Sequence, residues 1–226
     1  MPEKLNRLAR ALALSGALLT AGLGVWVTQG EARSFLVSGD SAPARVLALA
    51  DNQGHIGFAT GTQKAFLADC AKTLWNLFVP EILAMNEAQR QSLAPTCQAL
   101  ARQAIADSPT NAFAYYVLAA SAAAQGDVAL YNDSLALSYR TGPSEQWIAA
   151  WRVGLAETMH AVTAPALAAH HDHDIALLIQ GFVGIEAIAR RFVADEAFRA
   201  RVTRLLETVP PERAERFLSH VRRQIG

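Results

Sequence analysis

The sequence predicts an all-α protein that begins with a membrane helix and continues as a stack of about eight helices. Three observations favour this fold class. An uncharged apolar run of 17 residues, 11–27, follows basic side chains near the N-terminus. From residue 63 onward, large apolar residues recur at helical spacing, and no segment shows the alternation that predicts a half-buried strand. Alanine, which favours helix, supplies much of the 52% hydrophobic fraction.

The N-terminal segment, residues 1–28, is predicted to be a membrane anchor or a signal segment. A spanning helix needs about 20 apolar residues, with a range of roughly 17 to 25. The basic residues before the run place the N-terminus in the cytoplasm, and everything after Gln29 then crosses the membrane. A cleaved signal peptide has the same order of basic and apolar parts, but Gly30-Glu31-Ala32 is a poor cleavage site. We therefore predict a retained, single-pass inner-membrane anchor with a periplasmic C-terminal domain, with cleavage as the alternative.

Composition restricts the class of the remaining chain. Formal net charge is zero, with 20 basic and 20 acidic residues, which argues against a nucleic-acid binder. Charged residues make up only 18%, so a highly charged disordered chain is excluded. Residues 29–62 are rich in Gly, Ser, Asp and Pro and predict a linker, with a short helix or strand at 45–50.

Residues 63–226 form the predicted helical domain. Its first helix runs from residue 63 to a bend or end near Pro80, and Pro95 is expected in the first turn of the second helix. Further helices are predicted at 93–105, 112–125, 128–139, 145–160, 174–194, 196–207 and 211–224. Capping or opening residues precede several of them: Asn111, Asp127, Ser144, Asp195 and the pair Pro210-Pro211.

One interval of the helical domain, 109–143, has the length of a known repeat. Pro109 and Pro143 are 34 residues apart and enclose two predicted helices joined at Gly126-Asp127. This resembles a tetratricopeptide repeat, a helix–turn–helix unit of 34 residues. The large–large–small positions of its first helix are matched by Tyr115, Leu118 and Ala119. Tyr131 and Ser138 depart from the pattern, since the repeat has smaller residues there. The alternative is an ordinary helical hairpin with a chance proline spacing.

A single hairpin of this kind cannot bury its apolar face alone, so we expect it to stack on the flanking helices. The aromatic residues in and after the interval fit that expectation. They are predicted to fill the core of the hairpin stack and not to form a platform for sugars: Tyr115, Tyr116, Tyr139, Trp147 and Trp151.

The segment that closes the interval carries a second resemblance. Residues 137–147 are Leu-Ser-Tyr-Arg-Thr-Gly-Pro-Ser-Glu-Gln-Trp, and an arginine-rich helical tail follows. Together with the hairpin, this resembles the VpsP-like exopolysaccharide biosynthesis family, over roughly the last 120 residues. The resemblance implies a role in making or exporting a surface polysaccharide, with protein partners in that machinery. The family brings no catalytic motif, so no catalytic or cofactor-binding residue is carried over.

These observations predict a membrane-anchored, non-catalytic adaptor, a protein–protein interaction scaffold in envelope exopolysaccharide biosynthesis or export. The concave helical surface of the stack is expected to hold the protein partner. The sequence contains no G-x-S-x-G motif and no P-loop, and no acidic pair is recognisable as catalytic. No cofactor is predicted, and the residues of the interaction surface are not identified by the sequence.

A histidine cluster supports the alternative function, a periplasmic metal- or ligand-binding helical protein. His170, His171 and His173 lie in a short His/Asp run, and His160 precedes them by ten residues. Imidazole and carboxylate groups are ligands for zinc, copper or nickel. The run is predicted to be a loop that opens the following helix. The competing interpretation is a solvated turn in which Asp172 or Asp174 caps that helix.

Cys70 and Cys97 are the two cysteines of the chain. In an oxidising compartment they can form one disulfide, since the helices on either side of Pro80 can pack antiparallel. Closing the loop of 26 intervening residues would contribute about 3 kcal/mol in the chain-entropy model. The alternative is two buried thiols that act as small apolar side chains.

Overall fold

The computed structural model describes residues 2–36, 39–51, 56–57, 59–182 and 184–225. The chain is 81% helical, and these residues form twelve α-helices and one 3-10 turn, Pro165–Leu167, with no strand among them. The all-α prediction is confirmed. The helices are α1 Pro2–Leu36, α2 Ala42–Asp51, α3 Thr60–Trp75, α4 Pro80–Leu83, α5 Glu87–Asp107, α6 Ala112–Ala124, α7 Val128–Thr141, α8 Gln146–Thr158, α9 Ala168–Gln180, α10 Ile185–Ala194, α11 Glu196–Leu206 and α12 Pro211–Ile225.

Helix α1 contains the one stretch of the described chain, Leu12–Gln29, that is long and apolar enough to cross a membrane. None of this stretch is buried against the rest of the protein. A helix that is apolar around its circumference needs an apolar environment, which a bilayer supplies. The prediction of an N-terminal membrane helix is therefore supported by length and composition, features that a signal sequence shares.

The predicted linker, 29–62, contains the regular helix α2. Val46 and Leu49 of α2 are fully buried, and Arg45 forms a bidentate ion pair with Asp69 of α3, at 2.7 and 2.6 Å. The loop-forming residues lie before and after a short Ala/Leu/Val-rich segment, which joins the core. The short helix or strand predicted at 45–50 is therefore the helix α2, and residues 37–38, 52–55 and 58 of the predicted linker lie outside the described residues.

Helix α5 begins at Glu87, earlier than the predicted start at 93. Asn86 and Gln89 form a capping box, in which each side chain accepts a hydrogen bond from the other residue's backbone N–H. Pro95 consequently lies inside the helix instead of in its first turn. The sequence prediction missed this start because proline usually ends or opens a helix.

The predicted single helix 174–194 is two helices, α9 and α10. Gly184 stands before α10 with a φ of +83°, a left-handed conformation that glycine adopts without strain. Helix α9 begins at Ala168, so the histidine run is helical and not the loop that was predicted. The N-cap of α8 also differs, since Glu145 and not Ser144 precedes that helix.

The interval 109–143 forms the predicted antiparallel hairpin of α6 and α7. Asn111 caps α6 by accepting a hydrogen bond from the Ala114 N–H, and Asp127 caps α7 in the same way. Gly126 makes the turn between them with a φ of +75°. Helices α8 and α9 form the next antiparallel pair. We call α6 and α8, the first helices of the two pairs, the inner layer, and α7 and α9 the outer layer.

Helix α3 lies along the inner layer and runs parallel to α8. The Lys64 ammonium is 4.3 Å from the centroid of the Trp147 ring near the start of α8. One helical turn further along α8, Trp151 meets Trp75, the last residue of α3, edge-on at 5.3 Å. Of the predicted core aromatics, Tyr116, Trp147 and Trp151 pack in or against the core that includes α3, where Phe113 contacts Trp147 at 4.7 Å. Tyr139 lies in a separate core with α7, and Tyr115 is only half-buried.

Three apolar cores hold these layers together. The first joins α2, α3, α5 and α6; the second joins α8 to α9–α12; and the third lies between α6, α7 and α8. Phe113 and Tyr116 of α6 belong to the first core, whereas Ala119 and Ala122 belong to the third. Helix α6 therefore contacts α3 and α7 with different parts of its surface.

A disulfide between Cys70 and Cys97 fixes α3 to α5. Their Cα atoms are 5.5 Å apart, and both side chains are fully buried in the first core. The structure thus has the disulfide and not the two buried thiols that the sequence left as the alternative. It constrains the helix that covers the inner layer.

Replacing both cysteines, Cys70→Ala together with Cys97→Ala, is expected to lower the free energy of unfolding by about 3 kcal/mol, because the unfolded chain regains the freedom of the closed loop. Urea unfolding followed by circular dichroism measures the change. Wild-type protein in reductant is the control and should unfold like the variant. Equal stability of oxidised wild type and variant would contradict the prediction.

Candidate interaction site and its supporting ion pairs

A buried ion pair joins the hairpin to the helices that follow it. Arg152 of α8 is fully buried, and its Nε and Nη2 donate to the two carboxylate oxygens of Asp174 on α9, at 2.7 and 2.8 Å. Its Nη1 donates to the carbonyl oxygens of Ser138 and Gly142, at 2.9 and 3.0 Å. The guanidinium also lies 4.9 Å from the ring centroid of Tyr139. One side chain thus connects the end of α7 to both α8 and α9.

A second charged cluster surrounds Glu157, near the end of α8. Its carboxylate is 9% exposed and accepts hydrogen bonds from His171 Nε2 at 2.6 Å and Arg201 Nη1 at 2.8 Å. Arg191 Nη2 is 3.5 Å away. Burial by itself would raise the pKa of Glu157, but the hydrogen bond from His171 and the positive charges of His171, Arg201 and Arg191 outweigh it and hold that pKa below its usual range. The cluster connects α8 to α9, α10 and α11.

A polar cleft of about 430 Å³ opens beside this cluster. It is lined by Glu157, His160, Arg191, Asp195 and Arg201, among others. Arg191 pairs with Asp195 at 3.2 Å as well as with Glu157, and Arg201 Nε lies 3.6 Å from Asp172. The positive groups of the cleft are therefore already matched by carboxylates of the chain, and the cleft has the character of a structural junction.

The four histidines of the predicted metal site do not converge. Each has its own protein neighbour: His160 faces the Glu157 carbonyl at 3.3 Å, His170 stacks on Tyr139 at 5.3 Å, His171 binds the Glu157 carboxylate, and His173 faces the Pro143 carbonyl at 3.2 Å. His170 and His173 share a face of α9, but His171 lies about 100° around the helix from His170, so the three rings do not point to one place. Within the described residues, no group of three or more His, Cys, Asp and Glu side chains could hold a metal ion, which corrects the predicted site.

An apolar cleft of about 330 Å³ lies between α8 and α10, beside the end of α3. Small residues create it, since five lining positions carry only hydrogen or a methyl group: Ala150, Gly154, Gly184, Ala187 and Ala194. Val153, Leu178 and Ile188 form its apolar walls. A Cβ atom at position 154 would overlap the Trp75 indole, so the glycine determines where that ring lies.

The rim of the apolar cleft carries Trp75 and Arg190. Trp75 is 54% exposed although its ring contacts Trp151, and Arg190 is exposed on α10. Helix α3 ends at Trp75, so it covers the inner layer only as far as this residue. The cleft therefore lies at the end of α3, between α8 and α10. The cleft was not predicted from the sequence, where its one indication is the presence of glycines inside predicted helices.

The double variant Arg152→Met with Asp174→Leu is expected to be much more stable than Arg152→Met alone. The single substitution leaves Asp174 buried without a counter-charge, which costs about 3–5 kcal/mol. Chemical unfolding of both variants and of Asp174→Leu completes a double-mutant cycle. A cost for Arg152→Met that is unchanged in the Asp174→Leu background would show that the two side chains are not coupled.

Acid should destabilise the wild type more steeply than the variant Glu157→Gln. The pKa of Glu157 lies below its usual 4.5 in the folded state, so its stabilisation is complete above pH 4.5 and is lost as the pH falls through the folded pKa. Unfolding free energies measured across this range test the expectation. Glu215→Gln, at an exposed position of α12, is the matched control, and parallel curves for wild type and Glu157→Gln would refute the assignment.

Comparisons with protein-family models, with curated proteins and with solved structures find no match to this chain. The resemblances to the tetratricopeptide repeat and to the exopolysaccharide family therefore depend on the residues quoted for them. What the structure adds is an all-α chain with an apolar cleft beside Trp75.

Proposed function

We propose that this chain is a membrane-anchored, non-catalytic adaptor of the cell envelope. Its apolar cleft would receive an apolar segment of a partner protein. The observation that carries the proposal is the apolar cleft between α8 and α10, with an exposed Trp75 on its rim at the end of α3. In helical-repeat proteins, the concave surface is the surface that binds partners.

The proposed location is the inner membrane, with a cytoplasmic N-terminus and a periplasmic helical domain. The exposed apolar stretch of α1 supports a single membrane span, and the basic residues before it support the orientation. The disulfide between Cys70 and Cys97 fits an oxidising compartment such as the periplasm. The three features agree on one arrangement.

The chemistry of the cleft favours one kind of occupant, a short protein segment with apolar side chains and an acidic neighbour. The small lining residues admit apolar side chains, and Arg190 on the rim offers a positive charge to a carboxylate. Tryptophan and arginine are also the residues that contribute most often to the binding energy of protein interfaces.

The envelope setting follows from the resemblance to the exopolysaccharide family. We propose that the partner belongs to the machinery that makes or exports a surface polysaccharide. The alternative of a metal-binding protein is less well supported, because the four histidines have separate partners and do not face one another. The polar cleft beside Glu157 offers no unmatched charge to a ligand.

Filling the cleft is expected to abolish partner binding. Ala187 is exposed on the cleft wall, so Ala187→Trp places an indole in the open space without disturbing a buried side chain. We expect affinity capture from gently solubilised membranes to recover polysaccharide polymerising or export proteins with the wild type. Recovery should fall about tenfold or more with the variant, corresponding to a loss of about 1.4 kcal/mol or more in binding free energy.

Ala200→Trp, at an exposed position of α11 outside the cleft, is the matched control and should capture the same partners as the wild type. Quantitative mass spectrometry of the three captures distinguishes the outcomes. Partners that are retained by Ala187→Trp would exclude the cleft as the binding site. Partners that are lost on filling but belong to another envelope system would exclude the polysaccharide setting.

A further inference from the structure

An exposed phenylalanine lies in the connection between α9 and α10. Phe182 is 79% exposed, and the Arg216 guanidinium of α12 lies 4.4 Å from its ring centroid. Arg216 Nη2 also donates a hydrogen bond to the Gly181 carbonyl at 2.9 Å, so α12 holds the connection in place. Among the large apolar side chains described outside α1, only Phe78 is as exposed, at 82%. Packing in the core does not account for this exposed aromatic ring, which is paired with a cation.

The end of α1 fixes which part of the helical domain lies near the membrane. Glu31 follows the candidate span by two residues, about 3 Å along the helix. Its carboxylate accepts hydrogen bonds from the Ala59 N–H at 2.6 Å and from the Thr62 hydroxyl at 3.2 Å. A carboxylate in this position is also stabilised by the partial positive charge at the N-terminus of α3. The first turn of α3 therefore lies at the level where the span ends.

Contacts between helices place Phe182 at that same end of the domain. Helices α3 and α8 are parallel, since Lys64 contacts Trp147 near the start of both helices and Trp75, at the end of α3, contacts Trp151 further along α8. Helix α9 is antiparallel to α8, because its early His171 binds Glu157 near the end of α8. At the other end of α9, a Cβ atom on Gly181 would overlap the Gln146 side chain, which opens α8. The starts of α3 and α8 and the connection that carries Phe182 thus lie together.

Phe78 lies at the opposite end of α3. It follows Trp75, the last residue of that helix, and the 16 residues of α3 span about 24 Å. The two most exposed phenylalanines therefore differ in one respect that matters for a membrane protein. Phe182 shares an end with the anchor, and Phe78 does not.

We propose that the Phe182 ring and the Arg216 guanidinium touch the surface of the membrane that α1 crosses, with the ring at the headgroup boundary and the cation on lipid phosphate. Aromatic side chains favour this boundary, and anionic headgroups attract basic groups near it. The inference rests on the proposed membrane anchoring and adds a second contact, which fixes how the domain stands on the bilayer.

The test uses the full chain in lipid nanodiscs that contain anionic phospholipid. Two variants, Phe182→Cys and Phe78→Cys, are labelled with an environment-sensitive fluorophore while the native disulfide stays intact. Both positions are exposed, so neither substitution removes a core side chain. We expect blue-shifted emission at position 182 and quenching by headgroup-level spin-labelled lipid several times stronger than at position 78.

A further variant, Arg216→Gln, should weaken the lipid quenching at position 182 in anionic nanodiscs more than in neutral ones. Arg204→Gln, at an exposed position of α11, is the control and should change neither. Equal, water-like emission at positions 182 and 78 in a chain that stays in the nanodisc overturns the inference and leaves the anchor intact. Shielding at 182 that spin-labelled lipid does not quench assigns the surface to a protein and also overturns it.

Failure of the anchor itself has a separate readout. A chain that leaves the nanodisc fraction, or that alkaline washing extracts from native membranes, contradicts the proposed anchoring, and the inference then falls with it. Retention in both assays, together with lipid quenching at position 182, supports both. The anchor is thus judged by retention and the surface contact by quenching.

Discussion

The buried pair of Arg152 and Asp174 is the interaction on which the arrangement of the helical layers depends. A charge without exposure to water is tolerable only when its hydrogen-bonding groups are satisfied, and Arg152 satisfies them with Asp174 and with two carbonyls at the end of α7. Those carbonyls belong to the turn before Pro143, so the pair sets the position of the second helical pair on the first. Apolar contacts alone would tolerate many such positions, since they have no preferred direction. The pair selects one of them.

The second constraint is the helix that covers the inner layer. In a stack of helical pairs the inner surface is normally left for a partner, but here α3 packs on α6 and reaches α8 through Trp75, and the disulfide fixes it to α5. A partner that needed the whole groove would have to displace a cross-linked helix with several buried side chains. The open end beside Trp75 requires no such displacement. The same arrangement therefore explains why the cleft beside Trp75 is the better candidate for a binding site.

The parts of the fold that local signals determine could be predicted from the sequence. The caps Asn111, Asp127 and Asp195 each accept the expected backbone hydrogen bond, and the helices that they open lie close to their predicted bounds. A short helix or strand was predicted at 45–50, where helix α2 lies, but the burial of α2 could not be predicted, because it is a tertiary effect. The cleft could not be predicted, because it exists where lining residues such as Gly154 have little or no side chain. The histidines do not form the predicted metal site, because residues that are close in sequence need not direct their side chains to one point.

The two ends of α3 contact different parts of the molecule. Its first turn is bound by Glu31 just after the candidate membrane span, and its last residue, Trp75, lies on the rim of the cleft about 24 Å away. A rigid, disulfide-bonded helix thus lies between the anchor and the proposed binding site. If Phe182 and Arg216 also rest on the bilayer, the domain has two points of support and cannot swing freely about α1. Trp75, on the rim of the cleft, would then have a fixed orientation relative to the membrane. A partner held in the same membrane would lose less rotational entropy on binding.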